Sequence, residues 1–299
     1  IFEALDYEPD ESIAYASMNS GPITDMPRLI GRESQLGSLI AAVGNVRQGQ
    51  SVLFSLHGQS GMGKSALVKY FTASLRNRKD VMLLKGRCYQ REALPYKAFD
   101  SVVDDLTRQL ARLNTDDLKA IIPPNVSSLT RLFPVLLNLG PVADQAAMEL
   151  AKGDRADARG AAFEALRVLL ERLSHYRLVV IHIDDVHWGD KDSADLLCSL
   201  MRLPDAPPLL LLCGWHTERI QSGEFVRPLR LLIARRGEGF LGRELEVGPL
   251  EDNHARSLVR YLLNQQGCSS RFVGQIVDEA AGSPFFMESL VAHVARQEK

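Results

Sequence analysis

The sequence predicts an α/β protein: a parallel sheet covered by helices on both faces, followed by a small C-terminal α-helical unit. Three observations predict it. Short, nearly all-apolar runs alternate with helical periodicity up to residue 248, and strands so apolar have no face to turn to water. The first of these runs passes directly into a glycine-rich loop and then a helix. Beyond Pro249 only helical spacing remains.

Taken in order, residues 1–27 mix acidic, Ser, Gly and Pro residues with little periodicity and read as a linker or peripheral strap. From Arg28 the register changes. Leu36, Leu39, Ile40 and Val43 recur at helical spacing up to Gln48, a helix that enters the α/β core. Val52–Leu56 is a buried strand, and Ala66–Leu75 is the helix after its loop. Val81–Lys85 makes the second strand. Tyr96–Leu113 is an amphipathic helix with Phe99, Val102, Val103, Leu106 and Leu110 on one side. Shorter helical pieces run to Leu139, broken at Pro123, Pro124 and Pro134. Gly140–Ala158 reads as a helix with a mobile connection, and Arg159–Ser174 as a further helix. Strand Leu178–Ile183, helix Asp192–Leu203, strand Pro208–Gly214, helix Phe225–Arg235 and strand Leu241–Val247 complete the core, which spans residues 28–248. Residues 249–299 form the helical lid, with helices over Glu251–Gln265, Ser270–Ala281 and Pro284–Arg296.

The chemistry centres on VLFSLHGQSGMGKSALVK, residues 52–69. Gly58, Gln59, Ser60, Gly61, Met62, Gly63, Lys64 and Ser65 fit GxxxxGK[ST] letter for letter, between a strand and a helix that begins near Ala66. Glycines let the backbone turn so that successive N–H groups point into one concavity, and the helix N-terminus adds partial positive charge. The pattern assigns Lys64 to neutralise the β- and γ-phosphates of a nucleotide and Ser65 to a Mg²⁺ ion. The run LVVIHIDD supplies the acids: Asp184 for Mg²⁺ through water, and Asp185 either to orient or deprotonate the attacking water or to cap the helix that follows. His182 reads as a packed core histidine without a role. His187 and Trp188 either line the γ-phosphate pocket or brace the turn.

Bulk properties narrow the partners. With 299 residues, 45% hydrophobic and 24% charged, the chain can bury a sizeable core and is neither disordered nor a disulfide scaffold. A net charge of −2 argues against a dedicated nucleic-acid surface. Arg227, Arg230, Arg235 and Arg236 form the nearest thing to a basic cluster, spaced as the solvated face of a helix. Cys88, Cys198, Cys213 and Cys268 show no metal-ligand spacing and read as reduced core residues. The longest apolar runs fall far short of a membrane span and no signal-peptide pattern opens the chain, so a cytoplasmic location with no membrane partner is expected. The first residue is Ile1 instead of Met, which points to a piece of a longer protein.

Seven separated stretches, LIGRESQL, GQSGMGKSAL, GRCYQREALPYKAF, IDDVHWGDKDSADLL, LLLLCGWHTE, ELEVGPLEDNHARSLV and AGSPFFMESLV, resemble the STAND class of signalling NTPases within the AAA+ branch of P-loop NTPases. The likeness is greatest to the Orc1-like AAA ATPase modules of large bacterial regulators and runs from Arg28 to Arg296. It implies ATP and ADP as ligands with Mg²⁺. By the resemblance, Ile30, Gly31 and Arg32 lie on the adenine side, and Gly282–Pro284 closes over the base, with Pro284 in contact. It also puts His216 where relatives usually carry a γ-phosphate-sensing arginine, and Asp185 where ordinary AAA+ motors carry Glu. Lys64 and Asp185 would carry catalysis, and both departures imply slow hydrolysis.

The function expected is therefore an ATP-binding, slowly hydrolysing signalling switch. Its sensor and effector domains would lie elsewhere in the same chain, with nucleotide-dependent assembly of several copies. Two alternatives differ in kind: a DNA-loading Orc1-like module, and a scaffold locked around ADP.

Overall fold

In a computed structural model, residues 29–76, 78–90, 95–151, 158–219, 223–235 and 237–297 are described. The strap expected over 1–27, residues 152–157 of the helix and mobile connection expected over Gly140–Ala158, residues 91–94 and Arg236 lie outside them. Helix α1 spans Glu33–Arg47, strand β1 Ser51–Gly58, α2 Lys64–Arg76, β2 Val81–Arg87 and α3 Lys97–Leu110. Then come α4 Thr115–Ile121, α5 Val126–Leu132, α6 Gly140–Ala151, α7 Ala158–Ser174, β3 Leu178–Asp184 and α8 Lys191–Leu200. Strand β4 covers Leu209–His216, α9 Val226–Ile233 and β5 Phe240–Glu246; α10 Asp252–Gln266, α11 Val273–Ala280 and α12 Pro284–Gln297 end the chain.

The five strands form one sheet in the order β2-β3-β4-β1-β5, and every neighbouring pair is parallel. Alternation along β1 shows why both faces are covered. Val52, Phe54 and Leu56 pack with Leu39 and Val43 of α1 and Leu67, Val68 and Phe71 of α2. Leu53 points the other way, into the larger core that α3 to α9 build with Ile181, Leu209 and Leu211. The central strands are largely apolar, as a doubly covered sheet requires, and their buried Ser51 and Ser55 are hydrogen-bonded to the Ala206 and Pro207 carbonyls and to the Trp215 ring N–H. Strand β5 departs from that expectation: Arg243, Glu244 and Glu246 are exposed, because β5 is an edge strand.

Helices α10 to α12 close around a core of their own, with Val259, Leu263, Ile276, Met287 and Val291 buried at its centre. All four cysteines are free thiols, as expected, but only two sit fully in the core. Cys88 and Cys213 are buried, and burial pushes the Cys213 thiol up, whereas Cys198 and Cys268 are only half-buried.

One carboxylate organises two helix starts. Asp190 caps α8 by accepting from the Ser193 N–H at 2.8 Å, and it also accepts from the Tyr96 and Lys97 N–H groups at 3.2 Å, at the start of α3. Asp190→Ala is therefore expected to lower stability by about 2–3 kcal/mol, more than loss of a single cap. Urea unfolding monitored by circular dichroism checks this; a loss below about 1 kcal/mol would show that water replaces the carboxylate at both helices.

Candidate functional site

The site lies where the carboxyl ends of β1, β3 and β4 meet, and strand order puts it there. Register pairs Gly58 with His216 across β1 and β4, and Arg87 with Asp184 across β2 and β3. A βα loop at this edge faces solvent with its N–H groups free of the sheet.

The loop after β1 has the glycine geometry its pattern requires. Gly58 and Gly61 adopt φ values of +153° and +83°, and a Cβ at Gly58 would stand 2.2 Å from the Val247 carbonyl oxygen. Gln59 and Ser60 are exposed, Met62 is buried and Gly63 half-buried; Ser65 and Ala66 lie exposed in the first turn of α2. Lys64 is buried at the head of α2, where its Nζ donates to the Gly58 and Gln59 carbonyls, both at 2.8 Å. Burial lowers its pKa, while Glu218, Asp184 and Asp185 act in the opposite sense.

The acids sit opposite. The Ser65 Oγ is 3.5 Å from Asp184 Oδ2. A Cβ at Gly214 would come within 2.7 Å of Asp184 Oδ1, so the glycine in β4 makes room for that carboxylate. At Asp185 the backbone turns sharply with φ +56°, a conformation that Asp tolerates better than most residues. Asp185 makes no side-chain cap to the short turn that follows. Instead its Oδ2 accepts from Arg87 Nε at 2.9 Å and Nη2 at 2.8 Å, while its Oδ1 lies 3.4 Å from His216 Nε2. The pair raises the Arg87 pKa, chiefly through the hydrogen bond. Sequence reasoning missed Arg87; its position at the end of a strand beside the acid-bearing strand was the available signal.

Two further residues complete the rim. Glu218, also missed, accepts from the Ser60 N–H at 2.8 Å and stands 4.0 Å from His216 Nδ1. His187 is buried with its ring 4.9 Å from Trp188 and 5.2 Å edge-on from His216, so it both braces the turn and lies beside the strand-end cluster. His182 is half-buried on β3, and burial lowers its pKa.

The helical segment closes on the loop. The Phe285 N–H donates to the Gly61 carbonyl at 3.3 Å, and the Ser283 hydroxyl to the same oxygen at 3.4 Å. Pro284 Cγ lies 3.8 Å from the position of a Cβ on Gly63. Gly31, at φ +69°, packs against His254 of α10, and Ile30 against the core of the helical segment. Arg32 is buried, and its guanidinium donates to the carbonyls of Met62 and Gly248, tying the loop to the chain entering that segment. Burial lowers its pKa. The structure thus brings Arg32 and Pro284 against the loop at Met62 and Gly63, with Gly31 and Ile30 against the helical segment, and it gathers Ser65 with Asp184 and Asp185 with His216 at the strand ends.

A divalent ion suits this donor set. Ser65 and Asp184 offer one hydroxyl and one carboxylate, and among the described residues no group of three or more His, Cys, Asp or Glu could cage a metal. Two protein oxygens completed by phosphate and water are how Mg²⁺ is usually held. Among the described residues no helix is long and apolar enough to cross a membrane.

The family described as AAA ATPase domain matches residues 28–212, more than half of the chain. No curated protein matches it. Among solved structures, Cdc6p from Pyrobaculum aerophilum is similar at a TM-score of 0.54 and 13% identity, over 93% of this chain and 65% of that one. Drosophila ORC bound to DNA is similar at 0.53 and 13%, over 99% and 64%. At these identities the likeness is one of fold, and the chain spans less than two thirds of either relative.

Proposed function

Because the chain belongs to the AAA ATPase domain family, as an Orc1-like AAA+ P-loop NTPase module, we propose that it is a slowly hydrolysing ATP switch within a larger STAND-type signalling protein. One observation carries this reading: the helical segment is bonded to the phosphate loop itself, through Phe285 and Ser283 to Gly61. A loop that changes shape around a phosphate then moves the segment.

In this proposal Lys64 leaves the Gly58 and Gln59 carbonyls to bind the β- and γ-phosphates of ATP, and the loop N–H groups hold the remaining oxygens. Ile30, Gly31, Arg32 and Pro284 border the adenine pocket. Ser65, and Asp184 through water, would hold Mg²⁺, which would supply positive charge to offset that of the phosphates. Asp185 orients the attacking water and takes its proton. Both Asp185 oxygens are engaged, by Arg87 and by His216, which supports a slow step: the carboxylate must exchange partners before it can act.

Limited proteolysis or hydrogen exchange with MgADP and with a non-hydrolysable triphosphate analogue tests the switch. Protection of α12 and the chain around Gly248 should differ between the two; identical patterns in both would sink it.

A second reading, DNA loading, is favoured by the fold shared with Drosophila ORC bound to DNA. The net charge of −2 and the partnering of Arg230 Nε with Glu244 at 3.0 Å count against it. No shift of duplex DNA is expected at physiological ionic strength in a mobility assay. A salt-dependent shift would replace the switch reading with this one.

A further inference from the structure

The phosphate loop carries an anion supplied by the chain itself. Glu218 lies two residues beyond β4, on the turn Thr217–Arg219, and its Oε1 takes the Ser60 N–H at 2.8 Å. The contact joins residues 158 apart in sequence, and the pairing of Gly58 with His216 fixes both ends. Of the three carboxylates that act on the Lys64 ammonium, Glu218 acts most strongly, ahead of Asp184 and Asp185. The Ser60 bond holds the Glu218 carboxyl below the usual carboxylate range, so it is ionised at neutral pH.

Placement decides which nucleotide this charge opposes. The lysine end of such a loop takes the β- and γ-phosphates, and the γ-phosphate is what separates a triphosphate from a diphosphate. The Lys64 ammonium folds back onto the Gly58 and Gln59 carbonyls, beside the Ser60 N–H that Glu218 holds, and Glu218 stands 4.0 Å from His216 Nδ1, whose other ring nitrogen faces Asp185. The residues bordering the proposed adenine pocket meet the loop at other positions, Arg32 at the Met62 carbonyl and Pro284 at Gly63.

We propose that Glu218 is a specificity-determining residue of the nucleotide site, whose carboxylate competes with the terminal phosphate of a nucleoside triphosphate and biases the site toward the diphosphate. This rests on the nucleotide-binding reading above. A triphosphate must displace the carboxylate from Ser60 and then sit beside a like charge, whereas a diphosphate leaves the bond largely in place. The bias keeps the switch in its diphosphate state until triphosphate is abundant or another contact draws Glu218 away.

The test is titration calorimetry of the intact chain with MgADP and with Mg-β,γ-imido-ATP, for wild type, Glu218→Gln and Glu218→Ala. Glutamine keeps an acceptor for Ser60 and removes the charge; alanine removes both. Both variants are expected to bind the triphosphate about tenfold tighter and the diphosphate within about twofold of wild type, the size of one like-charge contact in a partly solvated site. An unchanged ratio in the glutamine variant means the residue only caps the loop, and overturns the inference; parallel weakening of both ligands does the same. Lys64→Ala serves as the non-binding reference. Wild type that matches this reference with both ligands would instead overturn the nucleotide reading, so the two failures are distinct.

Discussion

Lys64→Ala is expected to weaken ATP binding by about 100-fold or more and to abolish detectable turnover. Lys64 is the one cation buried at the head of α2 among the described residues, and its ammonium is already desolvated. A desolvated ammonium exchanged from two carbonyls to a phosphate gains a charge-assisted interaction of roughly 3 kcal/mol, which corresponds to that factor. The fold itself should lose little. The two carbonyls are buried or part-buried, and the space that the lysine side chain vacates admits water to them. Fluorescent-nucleotide titration together with phosphate release checks both effects, and thermal melting checks the fold. Normal affinity in the alanine variant would remove the central premise.

The second large effect concerns the pair Arg87 and Asp185. Asp185→Asn should keep nucleotide affinity within a few-fold of wild type and slow turnover by about 100-fold, the usual worth of a positioned general base. Arg87→Ala should act in the opposite direction. The Arg87 side chain is 58% exposed and that of Asp185 only 12%, so water screens the arginine and the pair contributes modestly. Freeing the carboxylate is then expected to raise turnover about three- to tenfold, since roughly 1 kcal/mol no longer opposes the partner exchange. Single-turnover measurements on both variants and on the double variant decide it. Were Arg87→Ala to slow turnover as much as Asp185→Asn, the arginine would instead be acting on the substrate.

The two variants also separate affinity from chemistry. Lys64 should move the binding curve and Asp185 the rate, because the lysine holds phosphate before and during reaction while Asp185 acts only on the attacking water. A site in which both changes altered affinity alone would be a nucleotide-locked scaffold.

Much of this was legible in the sequence because it is local. A strand, a glycine-rich loop and a helix follow one another within residues 51–76, and the acids Asp184 and Asp185 close a strand that is otherwise almost entirely apolar. Short-range sterics and periodicity fix such features with no knowledge of what lies across the sheet. Helix starts were read to within one residue at α3 and α8, whereas their ends were not: the helices stop at Leu110 and Leu200 and not at Leu113 and Leu203.

The partnerships that control the site were decided by tertiary structure. Arg87 and Asp185 are 98 residues apart, and Ser60 and Glu218 are 158 apart. Nothing in either segment names its partner; the strand order β2-β3-β4-β1-β5 does, by placing β2 beside β3 and β4 beside β1. Sequence by itself determined which chemical groups the protein owns and which local turn presents its phosphate loop. Tertiary structure alone decided which charges face one another across the mouth of the sheet, because electrostatic coupling depends on distance through space and parallel strands join residues far apart in the chain.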